Sequence, residues 1–222
     1  MSDISLRRRL LSANNPEAGA SIIEIVIVLA AMVILTAMSI PYLANYKKLY
    51  KSEDQAIKVM DLMREASQMA LTRRRTMRLE IDLTDNALLI IDQTPNAAGT
   101  LVKKIPLELA RDVRMDVAPS SITKPNPPNY ADAAFATDAT GHLVGASTVT
   151  GHNVWAARFK SDGTVVNASD VPLSATIYVW PPVSSGSGTA RNTGEVRAIT
   201  MFGGSGAIRY WKYSGSAWAA SQ

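Results

Sequence analysis

The apolar positions of the chain are concentrated near its N terminus. Residues 19–41 read GASIIEIVIVLAAMVILTAMSIP, and no charge falls among the sixteen residues from Ile25 to Ile40. Counted from Ala20, the apolar and weakly polar run is twenty-one residues. At about 1.5 Å per residue a helix of that length spans roughly 32 Å, the thickness of a bilayer's hydrocarbon core. Glu24 interrupts the run, at a depth where a carboxylate is costly and a partner is expected.

Beyond Pro41 the pattern continues as a helix. Ala56, Met60, Met63, Ser67 and Ala70 are spaced four, three, four and three apart, a narrow apolar stripe. Residues 53–57 and 58–64 fall among charged positions expected to face water. A helix from Ala20 to about Arg75, kinked at Pro41, would be about 84 Å long. A domain of this size cannot bury all of it, so its first half must lie in lipid or pack on other helices.

The period then changes to two. Met77–Leu83 alternates apolar and charged residues, Thr84-Asp85-Asn86 is a turn, and Ala87–Ile91 returns as a hairpin partner. Shorter strands are expected at Val102–Ile105, Val113–Val117 and Thr164–Val166. Stronger ones are expected at Val154–Phe159 and Thr176–Trp180. Val196–Met201 and Ala207–Trp211 close the chain as a hairpin. Residues 118–151, rich in Pro, Asn, Ala, Thr and Gly, read as a long, partly mobile connection. Residues 184–194 read as a Ser/Gly loop. One long helix followed by closely connected strands predicts an α+β fold, an antiparallel sheet packed on the helix's C-terminal half. No internal repeat is visible.

The motif Gly19-Ala20-Ser21-Ile22-Ile23-Glu24, followed by a long apolar helix with Pro41 near its end, resembles the class III signal of type IV pilins and type II secretion pseudopilins. The segment RFKSDGTV at 158–165 and the later RAITMFGGSGAIRYW resemble the C-terminal pattern of the GspH/FimT group of minor pseudopilins and minor pilins. The resemblance covers most of the chain after Gly19, leaving out residues 118–151 and 182–194. It implies a pilin-like fold. It implies cleavage by a prepilin peptidase between Gly19 and Ala20, N-methylation of Ala20, and assembly roles for Glu24 and Pro41. Ala20 departs from the phenylalanine or methionine commoner at that position. The implied partners are the peptidase, other pseudopilins or pilins, the inner membrane and secreted protein cargo. The implied place is the bacterial inner membrane, single-pass, with the C-terminal domain in the periplasm and later in a filament.

This divides the chain into a leader at 1–19, a membrane half-helix at 20–41, an amphipathic half-helix at 42–75 and a β-rich head at 76–222. The first reading of function is a minor pseudopilin of a type II secretion system. Alternatives are a FimT-like minor type IV pilin in pilus assembly or DNA uptake, and a membrane-anchored binding module that never polymerises.

Charge and composition refine this picture modestly. The net charge is +4 over 222 residues. Arg7, Arg8 and Arg9 against Asp3 and Glu17 place +1 of it before residue 20, which leaves +3 for the rest. That is too little to argue for nucleic acid by itself. The three arginines before the apolar run suit a cytoplasmic flank. Arg8-Arg9 also invites a twin-arginine reading, but the fourteen residues 11–24 separate Leu10 from Ile25. A conventional secretory signal would have a shorter apolar core and no glutamate within it. The chain contains no cysteine, so neither disulfides nor cysteine metal sites arise.

Arg73, Arg74, Arg75 and Arg78 form the densest basic run and are expected to be a solvated helix end. Arg191, Arg197, Arg209 and Lys212, among Tyr210, Trp211, Tyr213 and Trp218, are candidate contacts to single-stranded DNA. Alternating aromatics also suit a strand core, and the glycine-arginine-x-arginine pattern expected of a DNA-uptake FimT is absent. His142 and His152 are the only histidines, and neither sits in a catalytic or metal-binding spacing. No enzyme activity, cofactor or metal is expected.

Overall fold

A computed structural model describes residues 21–94, 98–108, 112–139, 141–144 and 147–221. The chain divides into two units, Met1–Ala44 and Asn45–Gln222. Helix α1 is Ile22–Arg73. Strands follow as β1 (Met77–Asp82), β2 (Ala87–Asp92), β3 (Thr100–Pro106), β4 (Arg114–Asp116), β5 (Ala131–Asp132), β6 (Ala136–Thr137), β7 (His142–Val144) and β8 (Ser147–Val149). Then come β9 (Asn153–Phe159), β10 (Val165–Val166), β11 (Ala175–Trp180), β12 (Arg197–Phe202), β13 (Ala207–Tyr213) and β14 (Trp218–Ser221). The protein is α+β with an N-terminal helix, as the change of period at Met77 predicts.

In the first unit, α1 opens with the Ser21 carbonyl accepting from the amides of Glu24 (2.9 Å) and Ile25 (3.1 Å). Residues Ile22–Ser39 have a mean hydropathy of 2.6, and none is buried within the chain. The two hydroxyls of this stretch are satisfied inside the helix. Thr36 Oγ1 donates to the Met32 carbonyl (2.7 Å) and Ser39 Oγ to the Leu35 carbonyl (2.8 Å). Such back-bonding leaves no hydroxyl proton to solvate in an apolar medium. The backbone remains helical through Pro41.

In the second unit, the helix buries a broader face than the narrow stripe predicts. Ala56, Met63 and Ala70 are buried as expected, Met60 and Ser67 are half-buried, and Val59, Leu62 and Ala66 join the core. The charged spacing hides these three positions because they lie on the flank of the stripe. The helix stops at Arg73 because Arg74 takes a left-handed conformation (φ 53°), and the Arg75 amide closes back on the Ala70 carbonyl at 3.2 Å.

Two sheets receive the helix. One has the order β10-β9-β1-β2-β3-β7-β8, with β6 also on β9. The other has the order β14-β13-β12-β11-β4, with β5 also on β11. Pairing is antiparallel except β3 with β7 and β5 with β11. A single core joins Leu62 and Met63 of α1, Leu79 and Ile81 of β1, Phe159 of β9, and Ile177 and Ile199 of the second sheet. A second cluster lies on the other face of the second sheet and contains Tyr178, Trp180, Trp211 and Tyr213.

Residues 118–151 are where sequence and structure differ most. Low apolar content predicts a free connection, yet the segment supplies β5 to the second sheet and β6, β7 and β8 to the first. These strands are only two or three residues long, too short to leave a periodic signal.

Candidate functional site

Three groups of residues were singled out by the sequence, and the structure treats each differently. Gly19 and Ala20 lie outside the described residues. Glu24 is in the first turn of α1, exposed within the chain and followed by apolar side chains that are also exposed. An acid in a first turn suits the positive end of the helix dipole. Pro41 is within α1, and its side chain lies outside the described residues.

The C-terminal basic residues are not one patch. The β12–β13 register pairs Arg197 with Lys212 and Thr200 with Arg209. Side chains alternate along a strand, so Arg209 faces away from Arg197 and Lys212. Arg197 and Lys212 meet Glu53 of the helix. Lys212 Nζ lies 2.5 Å from Glu53 Oε1, and Arg197 Nη2 lies 3.4 Å from Glu53 Oε2. The Lys212 hydrogen bond is the main cause holding the Glu53 carboxyl below its ordinary range, with burial opposing it. Arg191 pairs with Glu195 at 3.2 Å. Arg209 is exposed, beside a hollow of about 310 Å³ that Tyr130 and Phe202 also line. The neighbouring aromatics are used in packing: Tyr210 in the main core, Trp211 and Tyr213 in the second cluster. Trp211 Nε1 donates to Thr200 Oγ1 (2.8 Å), and Trp218 Nε1 donates to the Thr123 carbonyl (2.7 Å).

The basic run at the end of the helix is also divided. Arg73, Arg74 and Arg75 are exposed, with Arg75 paired to Asp92 at 3.0 Å. Arg78 is buried on β1, which corrects its assignment to a solvated face. The reason is the covering segment. Arg78, Glu80 and Asp82 point away from the core residues Leu79 and Ile81, as strand alternation requires. Gly141, His142 and His152 close over that second face.

A charged cluster results that the sequence did not disclose. Arg78 Nη2 lies 3.1 Å from Glu80 Oε2, and His142 Nδ1 lies 3.2 Å from Glu80 Oε1. His152 Nδ1 lies 2.6 Å from Asp82 Oδ2. The two imidazole rings are 6.5 Å apart between centroids and nearly perpendicular. Burial pushes the Glu80 carboxyl up to about 7, against the pull of Arg78. Burial lowers His142, with Arg78 adding to the effect. The hydrogen bond to Asp82 raises His152. The available signal was the alternation of Arg78, Glu80 and Asp82 on one face; their partners lie 62 or more residues away in sequence.

Comparison with known protein families, with curated proteins and with solved structures finds no match for this chain.

Proposed function

We propose that this chain is a minor pseudopilin, a structural subunit of a type II secretion-like machine that acts by assembly. One observation carries the reading: Ile22–Ser39 is a strongly apolar helical surface, unburied within the chain, with a carboxylate in its first turn. The Gly19-Ala20 motif and the α+β head that follows support it.

The chemistry runs from the N terminus. Cleavage after Gly19 would free the amine of Ala20, one helical turn from Glu24. In lipid, the apolar helix is satisfied, and moving it into a bundle of like helices gains little hydrophobic energy, because lipid tails are as apolar as its own side chains. Association then depends on packing and on polar contacts. A Glu24 carboxylate facing an Ala20 amine, on its own or a neighbouring subunit, would fix register, even where such a buried pair adds little net stability. The head would present surfaces to neighbouring subunits or cargo in the periplasm.

A second reading is a FimT-like minor pilin of a type IV pilus. The exposed, outward-facing Arg209 favours it, though Glu53 and Glu195 already neutralise its neighbours. A membrane anchor that never polymerises is a third. Neighbouring genes separate the first two, encoding either secretion or pilus and competence components. The direct test is mass spectrometry of the protein from bacterial membranes with and without prepilin peptidase, combined with crosslinking to co-expressed pilins. A chain beginning at Ala20 and crosslinked to pilins is expected. An intact leader, or no crosslink, would overturn the proposal.

A further inference from the structure

The cluster on β1 has no part in the assembly reading, and its geometry points to a separate property. The chain's only two histidines are carried by one covering segment, and each meets a carboxylate of the same strand. Among the described residues, the backbone around His142 is otherwise lightly held. β7 meets the first sheet through one parallel pair, Thr100 with Leu143, and through the Leu143 amide to the Gly99 carbonyl at 3.3 Å. Arg78 Nη2 adds a bond to the Gly141 carbonyl at 2.6 Å. Elements with so few ladder bonds open locally before the rest of a domain. The His152 end is held more firmly: the Asp138 amide donates to the His152 carbonyl (2.8 Å), the Gly151 amide to the Asp138 carbonyl (2.9 Å) and the Leu83 amide to the Asn153 carbonyl (2.9 Å), and β6 pairs with β9 over two residues.

Asp82, Asp85 and His152 also approach within 4.8 Å of one another, the spacing of a cation site. They are already neutralised by other groups. Asp82 Oδ1 accepts from the amides of Thr84 and Asp85 (2.8 and 2.9 Å), its Oδ2 faces His152, and Asp85 Oδ2 meets Lys104 at 2.8 Å. Protons, rather than a metal, fit this arrangement.

We infer that the Glu80–His142 and Asp82–His152 contacts form a proton-held latch, closing the segment that bears the histidines onto β1 and releasing it when the protons are lost. Glu80 is fully buried, and its contacts to Arg78 and His142 are close without being aligned as hydrogen bonds. Burial favours the neutral, protonated Glu80, and Arg78 offsets only part of the cost of ionising it. The charged groups around the pair come from each packed element: Asp82 and Arg78 on β1, Arg158 on β9, Asp138 ahead of β7, and Asp85 with Lys104 at the rim.

The signs follow from linkage. Glu80 is raised from 4.5 to about 7, so its contribution to closure is full below 4.5 and is lost as pH rises to about 7. His152 is raised above 6.5, so its contribution is full below 6.5 and is lost above that value. His142 is lowered and opposes them: its contribution is present above 6.5 and lost as pH falls through its lowered value. Closure is therefore tightest in mildly acidic solution and weakens through neutrality.

The test is hydrogen exchange on the full chain in detergent, at pH 6 and pH 8, with times rescaled for intrinsic exchange. Peptides covering 141–144 and 147–152 are expected to open about tenfold more at pH 8, the effect of roughly one pKa unit on one proton, while β1–β2 peptides stay unchanged. Glu80→Gln, which keeps the neutral form at both pH values, should lose most of that response. Equal protection at the two pH values in the wild type would overturn the latch, as would a Glu80→Gln variant that responds like the wild type. Should that variant fail to fold, the two imidazole C2–H signals of the wild type decide. One should titrate below the ordinary histidine range and one above it; two ordinary curves overturn the inference.

Discussion

Lys212 Nζ lies 2.5 Å from Glu53 Oε1, tying strand β13 to the helix across 159 residues of sequence. Arg197 reaches the other oxygen of the same carboxylate and is itself buried. Glu53→Gln would therefore leave a buried guanidinium without its counter-charge. The expected loss is about 1–3 kcal/mol, the cost of leaving a buried polar partner unsatisfied. Because the Glu53 carboxyl is lowered, its contribution is present above the ordinary 4.5 and is lost as pH falls through the lowered value. Denaturant melts at pH 7 and pH 3.5 should differ less for the variant than for the wild type. An unchanged midpoint at pH 7 would show the bridge to be idle.

Leu62 tests the broader helix face. It is fully buried in the core that both sheets share, although the spacing of apolar residues leaves it off the expected stripe. Leu62→Ala is expected to destabilise the head by about 2–5 kcal/mol, the usual range for a truncated core leucine. Ile57→Ala, at an exposed position of the same helix, should change stability by less than about 0.5 kcal/mol. Chemical denaturation followed by tryptophan fluorescence compares them, and equal effects would contradict the packing.

Glu24→Ala separates processing from assembly. The proposed role of Glu24 lies in register between subunits, after cleavage. The variant should be cut at Gly19 as efficiently as the wild type, yet crosslink to partner pilins at a small fraction of the wild-type level. Normal crosslinking would remove Glu24 from the mechanism, and failed cleavage would move its role to peptidase recognition.

How much of this was legible in the sequence depends on range. The apolar helix, the hairpin read over Met77–Ile91 and the strands read at Thr176–Trp180 and Ala207–Trp211 were readable, because each is an apolar or alternating run of five or more residues bounded by turn residues; the structure extends the last to Tyr213. Strands β5 to β8 were not, since two or three residues cannot show a period and depend on partners far along the chain. Arg78 shows the consequence. Its neighbours Arg73–Arg75 suggested solvent, and only the covering segment makes it a buried residue. Likewise His142 and His152 have no informative neighbours in sequence; their meaning comes from two carboxylates on β1.

Nucleic-acid binding can be decided by counting released counterions. Each phosphate neutralised on a single strand contributes about −0.7 to the slope of log affinity against log salt. Of the four C-terminal candidates, Arg191, Arg197 and Lys212 are held by Glu195 and Glu53, and Arg209 faces outward without an ion pair among the described residues. Any binding should therefore lose about one phosphate's worth of slope in Arg209→Ala. It should be unaffected by Lys212→Ala, whose ammonium is already spent on the helix. The measurement is a salt series of single-stranded DNA binding by the full chain in detergent. If Lys212→Ala flattens the slope as much as Arg209→Ala, the bridge to Glu53 opens on DNA and Lys212 contacts phosphate as Arg209 does. That outcome would favour the FimT-like reading over the pseudopilin.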